Sequence, residues 1–92
     1  MDLTKVKKED KLLIRDRKYQ VVEVWEDLDL SEKGECFFLE LGLVEVGKGK
    51  LTISHKLIYY YDTLKIFLED KIKNTKNKIS DEEIKIIKLK KD

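Results

Sequence analysis

From Leu51 to Tyr61 the side chains alternate with a period of two. Leu51, Ile53, His55, Leu57, Tyr59 and Tyr61 share one parity, and Thr52, Ser54, Lys56, Ile58 and Tyr60 the other. A helix would scatter the first set around its axis, whereas a strand puts all of it on one face. Just upstream, Phe37, Leu39, Leu41 and Leu43 alternate in the same way against Cys36, Phe38, Glu40, Gly42 and Val44. Two neighbouring runs of this kind commit a chain to an antiparallel sheet with one apolar face. The glycines of Gly47-Lys48-Gly49-Lys50 suit the positive φ of a tight turn, so residues 36–46 and 51–61 are expected to form a hairpin.

Residues 11–15 (Lys11-Leu12-Leu13-Ile14-Arg15) read as a short strand. It turns at Asp16-Arg17 into a second strand over 18–26, dense in Val21, Val22, Val24 and Trp25. Asp27 to Glu35 is polar and acidic and ends near Gly34, so it reads as a loop. Over 63–72 two patterns compete. Leu64, Ile66 and Leu68 alternate as in a strand, while Leu64, Phe67, Leu68 and Ile72 line one side of a helix that Asp62 would cap. Lys71 to Lys78, with its lysines, asparagines and lack of acids, reads as a connection. In 80–90, Ser80-Asp81-Glu82-Glu83 spells a helix capping box, yet the β-branched Ile84, Ile86 and Ile87 favour a strand bulged at Ile86-Ile87.

These runs occupy a 92-residue chain with no proline and a single cysteine, Cys36. A chain of that size is one domain with one modest core and no internal disulfide, and the lone thiol points to a reducing, cytoplasmic setting. No stretch is apolar enough to span a membrane as a helix. The expected fold is mainly β: a single small antiparallel β-barrel or curled sheet of five to six strands, with one short C-terminal helix as the alternative for 80–90. A flat sheet of this size would leave one apolar face and two edges exposed.

The segment Lys8-Glu9-Asp10-Lys11-Leu12-Leu13-Ile14, followed by Lys18-Tyr19-Gln20-Val21, resembles the opening hairpin of SH3-like small barrels. Those barrels often lead in with a polar Gly-Asp and then carry a Tyr-x-Val strand. Glu9 stands where that glycine is typical, so the lead-in turn is expected to differ. The resemblance implies a barrel architecture that hosts many functions, and no residue role is carried over from it.

Charged residues make up 42% of the chain, far above the usual ~25%, yet the signs nearly cancel at a net +1. That balance disfavours a protein that coats DNA regardless of sequence. The excess of Lys and Glu, with few Asn, Gln, Met and Cys, is the pattern of heat-adapted proteins; a genome biased toward Lys and Ile codons would also produce it.

No catalytic, metal or cofactor constellation is apparent. Gly42 to Gly49 only approaches a phosphate-binding loop, because strand-forming residues fill the would-be loop and Gly49 replaces the hydroxyl residue. Gly42 therefore reads as a bulge or a close packing point. His55 falls on the apolar parity, where a satisfied structural histidine is expected. Cys36 beside Glu35 reads as structural, and the acids Glu23, Glu26, Asp27 and Asp29 lack calcium-loop spacing. The aromatics Tyr19, Trp25, Tyr59, Tyr60 and Tyr61 form the most suggestive set, with Tyr60 on the polar parity beside Lys56.

The expected function is therefore a non-enzymatic binding module for a protein partner or for self-association, acting through an edge strand or an aromatic face. Single-stranded nucleic acid is the alternative partner. Binding residues for either are Trp25, Lys56 and Tyr60, with the basic stretch Lys71, Lys73, Lys76 and Lys78. A small ligand at the barrel mouth near His55 is a third reading.

Overall fold

The structure, a computed structural model, describes residues 3–31, 34–48 and 52–87. Seven antiparallel strands build one curled sheet: β1 (Lys11–Ile14), β2 (Arg17–Ser31), β3 (Gly34–Glu45), β4 (His55–Tyr60), β5 (Ile66–Asp70), β6 (Thr75–Ile79) and β7 (Ile84–Ile87). Their order across the sheet is β6-β5-β4-β3-β2-β1-β7, a meander in which the last strand returns to pair with the first. The curl follows from this connectivity. In a flat sheet the edge strands β6 and β7 would lie roughly 29 Å apart. Only Ser80–Glu83 joins them, a link that reaches roughly 18 Å at full stretch. The sheet therefore bends until Ile79 and Ile84, one from each edge, are both buried in the same core.

Inside the curve the alternating residues meet in rows. Val24, Leu41, Leu57 and Leu68 form one, Val21, Leu43 and His55 the next, and Leu39, Tyr59, Ile66 and Ile79 a third. Leu3 and Val6, in and just after an N-terminal 3-10 turn (Leu3–Lys5), join this core. Tyr19 and Val21 both point inward, but between Val21 and Glu23 the pairing with β3 slips by one residue. After that bulge the inward parity passes to Val24, which is why the Val-rich run shows no clean alternation.

Several expectations are corrected. The fold is mainly β, one curled antiparallel sheet as expected, but the described residues form seven strands in place of five to six. The acidic segment Asp27 to Glu35 is no loop: β2 runs to Ser31 and β3 starts at Gly34. The tight hairpin at Gly47–Lys50 gives way to a longer connection over 46–54. Gly47 supplies a left-handed turn residue at φ +91°, while Gly49, Lys50 and Leu51 lie outside the described residues. Residues 66–70 are a strand, and Asp62 caps a local turn by accepting from the Thr63 N–H at 2.8 Å. The basic stretch 71–78 is a four-residue turn followed by β6. The capping box at Ser80 closes a single 3-10 turn (Asp81–Glu83) instead of a helix, and Ile84–Ile87 pairs with β1 in unbroken register, without the bulge.

At Glu9 the lead-in keeps the backbone that glycine serves, with φ +76°. The reason is local: its N–H donates to Val21 O at 2.7 Å while Asp10 O accepts from the Val21 N–H at 2.8 Å, which pins the turn against β2. A side chain in this region costs roughly 1–2 kcal/mol, partly offset by the extra freedom glycine brings to the unfolded chain. Glu9→Gly is therefore expected to stabilise the protein by about 0.5–1 kcal/mol, read as a higher urea midpoint at unchanged slope. A lower midpoint would contradict this account of the turn.

Candidate functional site

The outer, convex face carries the residues that depart from a plain polar surface. Paired residues of neighbouring strands project from the same side of a sheet. The register therefore lines up Trp25, Glu40, Ile58, Phe67 and Lys78 in one row across β2 to β6. Beside it runs the row Glu23, Gly42, Lys56, Glu69 and Lys76, and on the other side Asp27, Phe38 and Tyr60. The rings make a chain, with Phe38 and Tyr60 centroids 5.7 Å apart and Tyr60 edge-on to Phe67 at 6.0 Å. Cations sit on both flanks. Lys56 Nζ lies 5.4 Å from the Trp25 ring centroid and 3.6 Å from Glu40 Oε2, and Lys76 Nζ lies 5.2 Å from Phe67. Trp25 remains 38% exposed, although Ile58, beyond Glu40 in the row, is buried.

Gly42 makes the close seat under Trp25 possible. A Cβ there would stand 2.9 Å from Ile53 Cδ1 and 3.2 Å from the indole ring. Glycine here leaves space that a larger side chain would have to take from Ile53 and the indole, with no bulge at the residue itself.

Of the seven residues expected to bind, Trp25, Lys56, Tyr60, Lys76 and Lys78 thus share this one face. Lys71 and Lys73 do not; they occupy the exposed turn between β5 and β6, at one end of the sheet. Phe38, Phe67 and Ile53 complete the face and were not singled out from sequence. The parity of Phe38 with Glu40 and Gly42 carried the signal, whereas Phe67 was hidden by the strand–helix ambiguity of its segment. No family model, curated protein or solved structure matches this chain.

A second concentration of polar groups lies at one end of the curled sheet, on the inner side. His55, 4% exposed, places Nε2 3.5 Å from Asp70 Oδ2 and Nδ1 2.9 Å from Ser54 Oγ, with its ring against the edge of Tyr19. The Ser54 hydroxyl also reaches Leu43 O at 3.3 Å. The chain Leu43–Ser54–His55–Asp70 therefore ties β3, β4 and β5 together where the sheet ends. Asp70 also shapes the turn that follows β5, because its Oδ1 accepts from the Ile72 and Lys73 N–H groups at 3.0 and 3.1 Å. The Lys73 N–H holds its carboxyl below the usual carboxylate range, with His55 adding to the effect against the opposing pull of burial. Burial, followed by the Glu45 charge, pushes the Tyr19 hydroxyl up. A cleft of about 350 Å³ opens here, lined among others by Arg15, Arg17, Tyr19, His55 and Asp70. Among the described residues, no three His, Cys, Asp or Glu side chains gather as a metal ion would need, and no helix is long and apolar enough to cross a membrane.

Proposed function

We propose that this chain is a non-enzymatic β-barrel module of SH3-like architecture that binds a protein segment on its convex aromatic face. The architectural part is supported by the inward Tyr19 and Val21 and by the left-handed Glu9 in the glycine position of the lead-in. The functional part rests on one observation: the run Phe38–Tyr60–Phe67 with Trp25 beside it, flanked by Lys56 and Lys76, on a face that no other described element covers. Rigid rings with a few cations at the margin are what a protein partner's apolar and acidic side chains engage. Glu23, Glu40, Glu69 and Asp27 stand in the same rows and would repel a phosphate backbone, which favours protein over nucleic acid.

The test is selection from a random displayed-peptide library, with the enriched peptides then measured by titration. The expected peptides are mainly apolar and aromatic, with isolated acids for Lys56, Lys76 and Lys78 and no acidic run. Their affinity should fall about tenfold or more in Trp25→Ala/Tyr60→Ala and also in Lys78→Glu, whose exposed position spares the fold. Peptides that bind these variants as well as the parent would overturn the reading. So would tight, salt-sensitive binding of a uridine oligonucleotide in place of any peptide.

A further inference from the structure

Past the pairing of Leu28 with Phe37, β2 and β3 continue without a third strand among the described residues, since β4 reaches only Phe38 and β1 only Gln20. The result is a two-stranded arm that projects from one end of the sheet. Leu28 and Phe37 are partners and Leu30, paired with Glu35, shares their parity, so one side of the arm carries three apolar residues beside an acid, with Leu30 71% and Phe37 59% exposed. Its sequence from Leu28 to Phe37 carries three acids and one lysine. At the opposite end of the sheet is a cleft of about 320 Å³ lined by Val44, Ile53 and Ile72, with Lys48, Glu45 and Ser54 also on its wall. Ile72 is 75% exposed, and Lys71 and Lys73 flank it in a stretch, 71–78, that holds four lysines and no acid.

We infer that the arm of one copy of this chain docks in the Val44–Ile53–Ile72 cleft of a second copy. The two surfaces complement each other in both properties that matter, apolar against apolar and an acidic border against a basic one. The arm cannot serve its own cleft. It leaves the sheet at Phe38, roughly 17 Å of strand from Leu43 at the cleft end, and it points away. The contact joins unlike surfaces, so each copy offers one donor and one acceptor. It shares Ile53 with the convex face but uses neither Trp25 nor Tyr60, and the variants below leave Ile53 in place, so it stands or falls apart from the function proposed above.

Sedimentation velocity on the full chain, in reducing buffer so that Cys36 forms no cross-link, tests the inference. At low salt the weight-average mass should climb with concentration to at least twice that of the monomer, and raising the salt should weaken association about tenfold. Leu30→Asp, Phe37→Asp and Ile72→Asp change exposed side chains and should each leave a folded monomer. Lys71→Glu/Lys73→Glu should also be monomeric, and adding Glu35→Lys, at the position paired with Leu30, should restore association. Only a direct contact gives that rescue. A parent chain that stays monomeric at every concentration would overturn the inference, as would association untouched by these reversals. A monomer that still binds selected peptides would overturn this inference alone.

Discussion

Gly42→Val is expected to destabilise the protein by about 2 kcal/mol and to loosen Trp25, because the new side chain must occupy space that Ile53 and the indole already fill. The direction is informative. Valine is a far better strand former than glycine, an advantage of up to roughly 1 kcal/mol on an exposed sheet surface. A net loss therefore isolates the steric term. Ile53 Cδ1 is the end of a flexible side chain and can swing aside for a single methyl, so Gly42→Ala should cost little. The two branches of valine press on the rigid indole. Trp25 is the sole tryptophan, so its emission reports the site directly. The valine variant should show a red-shifted spectrum together with a lower urea midpoint, and peptide affinity should fall with them. A spectrum like the parent's, at a stability within about 0.5 kcal/mol of it, would mean that the glycine is not what seats the ring.

How much of this was legible beforehand depended on which signal dominated each segment. Where apolar and polar residues alternated over a buried face, as at Leu39 to Leu43 and Leu57 to Tyr61, the sequence led directly to strands and to their inward side. Asp27-Leu28-Asp29-Leu30 also alternates, but its acidity argued for a loop, and the arm it forms has no sheet beside it to bury the leucines. Lys76-Asn77-Lys78 hid a strand for a related reason. An edge strand is lined with exposed lysines that discourage further pairing, so it looks like a solvated connection. The bulge after Val21 is a third case: an extra residue breaks the period, and only pairing with β3 reveals where the parity changes.

The convex face was partly legible for a different reason. Lys56 and Tyr60 could be assigned to one side by parity within β4. Their meeting with Trp25, Lys76 and Lys78 depends on register between strands, which is fixed by the bulge and by the two turns that flank β5. Phe67 joined them only once its segment proved to be a strand. The seating of Trp25 on Gly42 required both strand pairing and the placement of Ile53, just before β4, against that glycine.

Asp70→Ala is expected to cost about 2 kcal/mol, since two contributions vanish together: a turn cap of roughly 1 kcal/mol and the partner of a buried imidazole, worth a similar amount. Asp70→Asn keeps an oxygen for the Ile72 and Lys73 N–H groups but offers no charge to His55, so it should lose about half as much. Acidity separates the two roles. In the folded protein the Asp70 carboxyl titrates below its unfolded value, chiefly because the Lys73 N–H donates to the ionised form. Between the two values the unfolded chain binds more protons, so stability rises with pH across that window. The contribution is complete above the unfolded carboxylate range, near pH 4, and disappears as pH falls through the folded value. Asp70→Asn carries no such proton. Subtracting its stability from that of the parent at each pH should give a difference that shrinks as pH falls below about 4. The shrinkage below pH 4 is the signature of a carboxylate held ionised by the turn it caps. A difference that stays constant to the lowest pH at which both proteins fold would show that the turn draws nothing from the charge.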